Sequence, residues 1–266
     1  MSTRWRPAPS LSASAVLHAG AAALIAVRPD DWPWALGAVA LNHALLAGAG
    51  LLPRSQVLGS NWVHLPQPAI ARREVAITID DGPDPKVTPP VLDLLDRLRM
   101  RATFFCVGEK LLAEPQLARE ICRRGHTVEN HSQHHHLYFS AMGPARIERE
   151  VSSGQDSILR TTGTHARFFR APAGLRNPFL DYVLAKLGLQ LASWTRRGFD
   201  TINGDARRVH RMLGHNLAAG DILLLHDGNA ALTAAGQPLI LEVLPLLAED
   251  LGRVGLSAVT LSQASA

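Results

Sequence analysis

The chain has 266 residues, of which 47% are hydrophobic, so it can form one large α/β domain or two small ones. Aromatic residues make up only 5%, which predicts an aliphatic core. The net charge is +4, and the sequence has no Lys/Arg block interleaved with aromatic residues, which argues against nucleic-acid binding. Cys106 and Cys122 form neither a disulfide framework nor a zinc-binding pattern.

The first 53 residues contain two uncharged runs, Leu11 to Val27 and Trp32 to Leu52, separated by the turn Arg28 to Asp31. A membrane-spanning helix needs about 20 apolar residues, with a range of about 17 to 25. The second run meets this requirement, although Asn42 and His43 weaken its centre. The first run is at the lower limit of the range.

Three interpretations of residues 1–53 compete. A membrane hairpin is favoured, because Trp32 and Trp34 stand where an interfacial aromatic belt would lie. A signal peptide followed by one helix is the second, although no small-x-small cleavage site precedes Arg28. Two soluble core helices are the third.

A hairpin places both of its ends on one side of the membrane, here the bacterial inner membrane. The positive-inside rule makes that side cytoplasmic. The basic residues that carry this argument are Arg4, Arg6, Arg54, Arg72 and Arg73. We therefore expect the rest of the chain to be cytoplasmic, or periplasmic if the N-terminus is a signal peptide plus a single helix.

Residues 54–73, with Pro66 and Pro68, are predicted to be a linker, and residues 74–266 a second domain. There, strands alternate with amphipathic stretches, which predicts parallel strands joined by crossover helices. The predicted strands are Val75–Ile79, Thr103–Val107, His126–Glu129, Arg167–Phe169, Leu189–Trp194, Ile222–Leu225 and Leu256–Leu261. The predicted helices are Val91–Leu98, Pro115–Arg123, Pro144–Leu159, Pro178–Lys186, Ala206–Leu217 and Leu239–Leu251. Seven such strands fit an incomplete, distorted β/α barrel.

Chemically capable side chains follow five of these strands at their C-terminal ends. In chain order they are Asp80 and Asp81, His131 and His135, Arg170, Asp200, and His226 with Asp227. In a β/α barrel these ends converge on one face, which holds the active site. The pattern therefore predicts that the five groups meet.

The segment "NHSQHHH", Asn130 to His136, contains four histidines. His131 and His135 have the i, i+4 spacing that puts two imidazoles on one face of a helical turn. A solvated, polar histidine-rich loop is the alternative. A carboxylate from "TIDDGP", Thr78 to Pro83, would complete an open metal site with two His and one Asp.

The two adjacent carboxylates of this segment can then have different roles. One binds the metal, and the other stays ionised as a base beside the metal-bound water. Arg170 is the available cation to hold this base ionised. His226 is the candidate acid for the leaving group, and a nearby Asp200 would raise its pKa.

These residues resemble the polysaccharide deacetylases, also called NodB-homology carbohydrate esterases. Five short motifs match in order between about residue 74 and residue 261. They are "TIDDGP", "HSQHH" from His131 to His135, "RAPAG" from Arg170 to Gly174, "WTRRGFD" with Trp194 and Asp200, and "LLH" from Leu224 to His226. The first two motifs together are specific, and the fourth is the loosest.

The resemblance implies a distorted seven-stranded β/α barrel and metal-dependent hydrolysis of an N-acetyl group on an amino sugar. It implies Asp80 as the base and Arg170 as the residue that steadies it. The implied metal ligands are Asp81, His131 and His135. The resemblance also implies His226, tuned by Asp200, as the acid, and Zn²⁺ as the usual metal, although other divalent ions occur.

The resemblance further implies that Leu224 lines the pocket for the acyl methyl group and that Trp194 and Gly174 contribute to the substrate site. Two positions depart from the family pattern. Ala173 stands where an aromatic residue usually precedes the Gly, and Thr201 where a Trp usually follows the Asp. The backbone N–H at Ala173 is kept, but the aromatic floor for a polymer is thinner. We therefore predict a short or lipid-linked amino sugar as substrate.

The sequence thus predicts a membrane-anchored carbohydrate N-deacetylase. A deformylase-like enzyme on a lipid-carried sugar and a peptidoglycan deacetylase are the enzymatic alternatives. A carbohydrate-binding pseudoenzyme is the non-enzymatic one, and it predicts loss of a base, ligand or acid. All of Asp80, Asp81, His131, His135 and His226 are present.

Overall fold

The computed structural model describes residues 5–266 of the chain, and Arg4 lies outside the described residues. The strands are β1 Glu74–Asp80, β2 Ala102–Cys106, β3 Thr127–Asn130, β4 Phe168–Phe169, β5 Gln190–Leu191, β6 Arg196–Arg197, β7 Ile222–His226 and β8 Ser257–Val259. The α-helices are α1 Pro9–Val27, α2 Trp32–Gly50, α3 Gln67–Ala71, α4 Thr88–Arg97, α5 Gly108–Ala113, α6 Pro115–Arg123, α7 Pro144–Thr162, α8 Leu180–Leu187, α9 Ala206–Gly214, α10 Leu239–Val254 and α11 Leu261–Ala264.

The sheet is parallel and nearly closes on itself. Its strands follow the order β5-β4-β3-β2-β1-β7-β6, and β8 pairs with β1 beside this path. The end strands β5 and β6 are consecutive in the chain, separated only by residues 192–195. Because so short a connection joins the two ends of the order, the sheet must curl. The predicted distorted β/α barrel is confirmed as a parallel half-barrel with helices around it.

Strand alternation decides which side chains face the barrel interior. In β1, Ile77 and Ile79 pack outward into the core under the helices, whereas Ala76 packs inward. Asp80 shares the inward parity of Ala76, so it lies at the inner, C-terminal end of the strand. His226 is its register partner on β7. A carboxylate and an imidazole are thereby placed side by side at one end of the barrel.

The main core lies between the sheet and the surrounding helices. Leu92 and Leu95 of α4, Val151 of α7, and Leu244 of α10 are fully buried there. Burying each such side chain stabilises the fold by about 1.5–3 kcal/mol. Gly163, with φ 75°, ends α7 in the left-handed conformation that glycine adopts without strain. The sequence pattern predicts α4, α7 and α10 near their observed positions. The short strand β6 is not among the predicted strands.

The N-terminal hairpin consists of two 19-residue helices, α1 and α2, connected by a short turn. Only α1 among the described residues is long and apolar enough to cross a membrane, and a signal sequence passes the same test. The run Trp32 to Leu52 is predicted from the sequence to be long and apolar enough to span a membrane, but the helix that it forms does not meet this test. Hydrogen bonds join the hairpin to the barrel, from Trp5 to Asp181 at 2.8 Å and from the Arg176 amide to the Gly50 carbonyl at 3.1 Å.

The segment predicted as a linker is packed against the barrel. Leu58 and Ala69 are fully buried, and Leu65 is nearly so. Trp62 forms a parallel bridge with Ala192, directly after β5. Its ring also meets Phe168 edge-on, with the centroids 5.0 Å apart. Residues 58–69 therefore pack against the barrel beside β5, one of the two end strands of the sheet.

Candidate active site

The polar side chains predicted from the strand ends come together at the C-terminal face of the barrel. They border a cavity of about 210 Å³. The cavity is lined by Asp80, Asp81, His131, His135, Leu137, Ala173, Gly174, Trp194, Arg197, Leu224, His226 and Asn229. Arg170 and Asp200 do not line it but contact residues that do. The predicted site residues therefore form one connected cluster.

Asp81, His131 and His135 form a compact group of metal-ligand atoms. Oδ1 of Asp81 lies 3.2 Å from Nε2 of His131 and 3.2 Å from Nε2 of His135. Nδ1 of His131 lies 2.8 Å from the carbonyl oxygen of Arg170. A proton on Nδ1 donates to that carbonyl, which leaves the Nε2 lone pair directed at Asp81. The donor set therefore fits a divalent metal ion.

The charges of these groups also suit metal binding. Burial raises the pKa of Asp81, but its imidazole neighbours His131, His135 and His226 lower it by more, so the pKa falls well below its usual range. Burial lowers the pKa of His135. Near neutral pH, Asp81 is thus ionised and His135 is neutral, as a metal requires of its ligands.

The two histidines do not lie on a helical turn, so that prediction is wrong. The segment after β3 is a loop in which Ser132 and His135 have φ of 65° and 50°. The amide of Ser132 donates to Oδ1 of Asn130 at 2.9 Å, and that of His135 to the hydroxyl of Ser132 at 3.0 Å. These local bonds replace helical ones, and the loop brings both imidazoles to Asp81.

Arg170 fixes Asp80 inside the barrel. Nη1 of Arg170 donates to Oδ1 of Asp80 and to the hydroxyl of Thr78, both at 2.7 Å. The guanidinium also donates to the carbonyls of Ala192 and Ser193, and stacks over Phe105 with 4.1 Å to the ring centroid. Arg170 is only 1% exposed. Because these contacts fix the guanidinium of Arg170, it holds the Asp80 carboxylate in one orientation.

Asp200 holds His226 through two hydrogen bonds. Nδ1 of His226 lies 2.9 Å from Oδ1 of Asp200, and the His226 amide donates to Oδ2 at 2.7 Å. Burial lowers the pKa of His226, but the hydrogen bond and charge of Asp200, with Asp80 and Asp81, outweigh it and raise the pKa above its ordinary value. The ring can therefore carry a proton on Nε2 near neutral pH.

The third motif contributes the rim of the cavity. Ala173 is exposed and has φ 54°, and the Gly174 amide donates to the Ala171 carbonyl at 2.8 Å. Among the described residues the Ala173 amide donates no hydrogen bond, so it is free to meet a ligand. A Cβ on Gly174 would lie 2.4 Å from the ring of Trp194, so only glycine fits. Leu224 and Trp194 supply the apolar wall.

Two polar residues near Asp81, Lys110 and Asn229, were missed from the sequence, whereas Asp227 was noted there as following a strand end. The ammonium of Lys110 donates to the Asp81 carbonyl at 2.7 Å, and Nδ2 of Asn229 donates to Oδ2 of Asp81 at 3.2 Å. Asp227 is fully buried beside Gly82, where an added Cβ would lie 2.3 Å from its Oδ1. Asn229 follows a strand end, which could have indicated it; Lys110 carries no such signal.

Leu137 and Arg197 also line the cavity and were missed. Leu137 is 82% exposed. The guanidinium of Arg197 lies 5.5 Å from the Trp194 ring centroid and 4.8 Å from that of Phe199. Both residues follow site residues in the chain without a distinctive spacing, so the sequence offered no signal for them.

The arrangement places a buried carboxylate and a hydrogen-bonded imidazole on neighbouring strands, beside a potential metal site. A base and an acid on either side of a polarised carbonyl are what hydrolysis of an amide requires. The fold and the site thus define a barrel hydrolase whose site contains a group of side chains that could hold a metal ion.

Comparison with known proteins agrees with this class. The family model for polysaccharide deacetylase matches residues 69–192. The chain is 35% identical over 156 residues to a peptidoglycan-N-acetylglucosamine deacetylase of Bacillus cereus, covering 58% of this chain and 72% of that protein. It is 34% identical over 172 residues to a chitooligosaccharide deacetylase of Sinorhizobium fredii, covering 62% and 76%. The chain belongs to the polysaccharide deacetylase family.

Solved structures give the same result. A family 4 carbohydrate esterase from Streptomyces lividans, in complex with acetate, matches with a TM-score of 0.63 and 30% identity, over 70% of this chain and 91% of that one. A family 4 pseudoenzyme from Bacillus anthracis matches with a TM-score of 0.68 and 18% identity, over 77% and 68%. The second likeness concerns the fold alone. The chain is a carbohydrate deacetylase of this family.

Proposed function

We propose that the protein is a divalent-metal-dependent hydrolase that removes an N-acetyl group from an amino sugar. The observation that carries this proposal is the grouping of Asp81, His131 and His135 within 4.8 Å of one another. Asp80 and His226, the proposed base and acid, stand next to this group on neighbouring strands. Zn²⁺ is the metal that this donor set favours.

The chain's own residues divide the reaction between them. When bound, the metal would lower the pKa of a coordinated water and polarise the amide carbonyl. Asp80, held by Arg170, accepts the proton of the attacking water. The free amide of Ala173 donates to the developing oxyanion. His226, protonated on Nε2 and held by Asp200, gives a proton to the leaving amine.

The cavity suits a small acyl group. Leu224 and Trp194 form an apolar wall in a space of about 210 Å³, which accommodates an acetyl methyl. A deformylase-like activity would use the same wall. Assaying acetate against formate release from matched substrates separates these two.

The rim of the cavity and the names of the relatives both bear on the substrate class. The relatives are named for peptidoglycan and chitooligosaccharides, which are both glycans of N-acetylated amino sugars. In this chain, Ala173 at the rim carries no ring. We propose a short or lipid-linked amino sugar, and peptidoglycan is the alternative if the domain faces the periplasm. A pseudoenzyme is disfavoured because base, acid and ligand residues are all in place.

The N-terminal helices are proposed as a membrane anchor of a bacterial inner-membrane protein. Val16 and Ile25 of α1 and Trp34, Leu41 and Leu45 of α2 are exposed, and neither helix contains a charged residue. Such an apolar surface is costly in water and stable in lipid. In this proposal residues 1–53 are the anchor, residues 54–73 the connection and residues 74–266 the catalytic domain.

One experiment tests the activity directly. The full chain is purified in detergent, stripped of metal and reloaded with Zn²⁺. Acetate release is then measured from N-acetylglucosamine oligomers and from an undecaprenyl-linked amino sugar. We expect release only with metal, and the preferred acceptor identifies the substrate class. Release that is unaffected by metal removal would contradict the proposal.

The membrane side is tested separately. Single cysteines are introduced near Arg28, in the hairpin turn, and near Arg253, on α10, and labelled with a membrane-impermeant maleimide in intact spheroplasts. A cytoplasmic domain predicts labelling of the turn alone. Labelling at Arg253 would instead place the domain in the periplasm.

A further inference from the structure

The three consecutive histidines His134, His135 and His136 do not share one environment. His135 turns toward Asp81 in the candidate active site. His134 and His136 meet Glu150 of α7 instead: Nδ1 of His134 lies 2.8 Å and Nε2 of His136 lies 3.6 Å from Oε1 of Glu150. A second cluster of two imidazoles and one carboxylate thus lies beside the first.

Glu150 is held in place for this contact. Its side chain is 9% exposed, although it is ionisable. Oε2 accepts the backbone N–H of His134 at 3.1 Å, which leaves Oε1 facing the two imidazoles. A buried carboxylate needs a positive partner. The nearby cation Arg146 donates to the Tyr138 hydroxyl at 2.8 Å and lies over its ring.

The donor set matches a known class of site. The three ligand atoms lie within 4.8 Å of one another. A tetrahedral Zn²⁺ with bonds of about 2.0 Å holds its ligand atoms about 3.3 Å apart. The side chains of His134 and His136 are 48% and 31% exposed, so they can adjust over such a distance. Two imidazoles and one carboxylate leave a fourth position open to water.

We propose that His134, His136 and Glu150 form a second, outer metal site for Zn²⁺ or a similar borderline transition-metal ion. The loop after β3 supplies histidines to both groups, with His135 facing Asp81 and its neighbours His134 and His136 facing Glu150. An ion in the outer site ties this loop to α7. Such an ion thereby restricts the motion of the loop segment that carries His135. The proposal does not depend on the deacetylase activity.

The test is a metal titration of the full chain in detergent after metal stripping. Zn²⁺ binding is followed by isothermal titration calorimetry, and bound metal is counted by elemental analysis. We expect the double variant His134→Ala/His136→Ala to lose one equivalent relative to the unsubstituted protein. Asp81→Ala should lose a different equivalent, so that the combined variant loses both. Glu150→Gln should weaken the outer site by at least about tenfold, the cost of losing even an outer-shell partner.

His165→Ala is the matched control, because His165 is an exposed histidine outside both clusters. It should bind as much zinc as the unsubstituted chain. Co²⁺ absorption gives an independent count of the sites. Circular dichroism verifies folding, and the single variant His136→Ala replaces the double variant if the latter does not fold. Equal stoichiometry and affinity in the double variant and the unsubstituted chain would overturn the proposal.

Discussion

Asp200 binds His226 twice, through the ring at 2.9 Å and through the backbone amide at 2.7 Å. The two bonds use both carboxylate oxygens of a residue that is fully buried. The ring bond sets the tautomer and turns Nε2 toward the cavity. Asp200 therefore positions the proposed acid and raises its pKa, although Asp200 itself does not line the cavity.

Replacing Asp200 tests this role. An acid must be protonated, so activity falls as pH rises through the His226 pKa, which lies above its ordinary value. Asp200→Asn removes the charge that raises this pKa, and the alkaline limb of kcat/KM should move to lower pH. His226→Gln should lower kcat by about 10²–10⁴-fold with less change in KM.

Asp205→Asn is the control for Asp200→Asn. Asp205 caps α9 by accepting the Arg208 amide, and asparagine caps equally well. Its pH profile should match that of the unsubstituted enzyme. An alkaline limb that stays in place in Asp200→Asn would contradict the role given to Asp200.

Arg170 and Asp80 form the buried ion pair of the barrel interior. Arg170→Met leaves Asp80 as an unpaired buried charge, which should destabilise the protein by about 3–5 kcal/mol. Adding Asp80→Asn removes that charge, so the double variant should be more stable than Arg170→Met alone. Thermal unfolding in detergent measures both.

Arg123 provides the comparison for Arg170. It pairs with Glu120 on the surface and is 71% exposed. Arg123→Met should change stability far less than Arg170→Met does, because water screens an exposed ion pair. Equal losses for Arg123→Met and Arg170→Met, or no recovery in the double variant, would show that the buried pair is not the cause.

Ala173 tests the proposed preference for short substrates. In the unsubstituted enzyme, we expect kcat/KM for chito-oligomers to level off with chain length. Ala173→Tyr adds a ring at an exposed rim position and should lower KM for longer oligomers, because an aromatic face adds contact area. Ala173→Gly keeps the backbone N–H without a ring, so its kcat/KM should level off with chain length as it does in the unsubstituted enzyme. Affinity that climbs steadily with length in the unsubstituted enzyme would refute the preference.

Glu129 should make stability depend on pH. Burial raises its pKa to about 7, against hydrogen bonds from the Phe168 and Arg167 amides and the Ser262 hydroxyl. Between its ordinary pKa and about 7, the folded protein binds a proton that the unfolded chain does not. This contribution is therefore present at low pH and lost as pH rises through about 7, with a slope of at most about 1.4 kcal/mol per pH unit.

Glu129→Gln removes this titration, because the amide does not ionise but still accepts the backbone hydrogen bonds. The unfolding temperature of the variant should fall less steeply than that of the unsubstituted protein between pH 5 and pH 8. The difference between the two curves isolates Glu129 from the other titrating groups. Parallel curves would refute the assignment.

The strand ends were predictable from the sequence because each is a short apolar run followed by a polar residue. The runs before Asp80 and before His226 predict both strands and the position of these two residues at the C-terminal ends. The sequence predicts that these two ends lie on the same face of the barrel. It places His226 on the strand end opposite the base, whereas in the structure β1 and β7 pair directly and make Asp80 and His226 register partners.

Loop geometry and tertiary contacts were not predictable in this way. The i, i+4 spacing of His131 and His135 suggested a helix, but left-handed residues in the loop achieve the same grouping. Lys110 reaches the Asp81 carbonyl across the fold, and no local pattern encodes such a contact. The grouping of His134 and His136 with Glu150 of α7 likewise appears only in three dimensions.

The division of roles between Asp80 and Asp81 is the central claim, and one matched pair of variants tests it most directly. Asp80→Asn and Asp81→Asn are purified as full chains, and bound Zn²⁺ and acetate release are measured on the same samples. The proposal predicts that Asp80→Asn keeps its zinc and loses activity by about 10²–10⁴-fold. Asp81→Asn should lose both the zinc of this site and the activity. Full activity in Asp80→Asn, or zinc lost from Asp80→Asn and kept by Asp81→Asn, would contradict it.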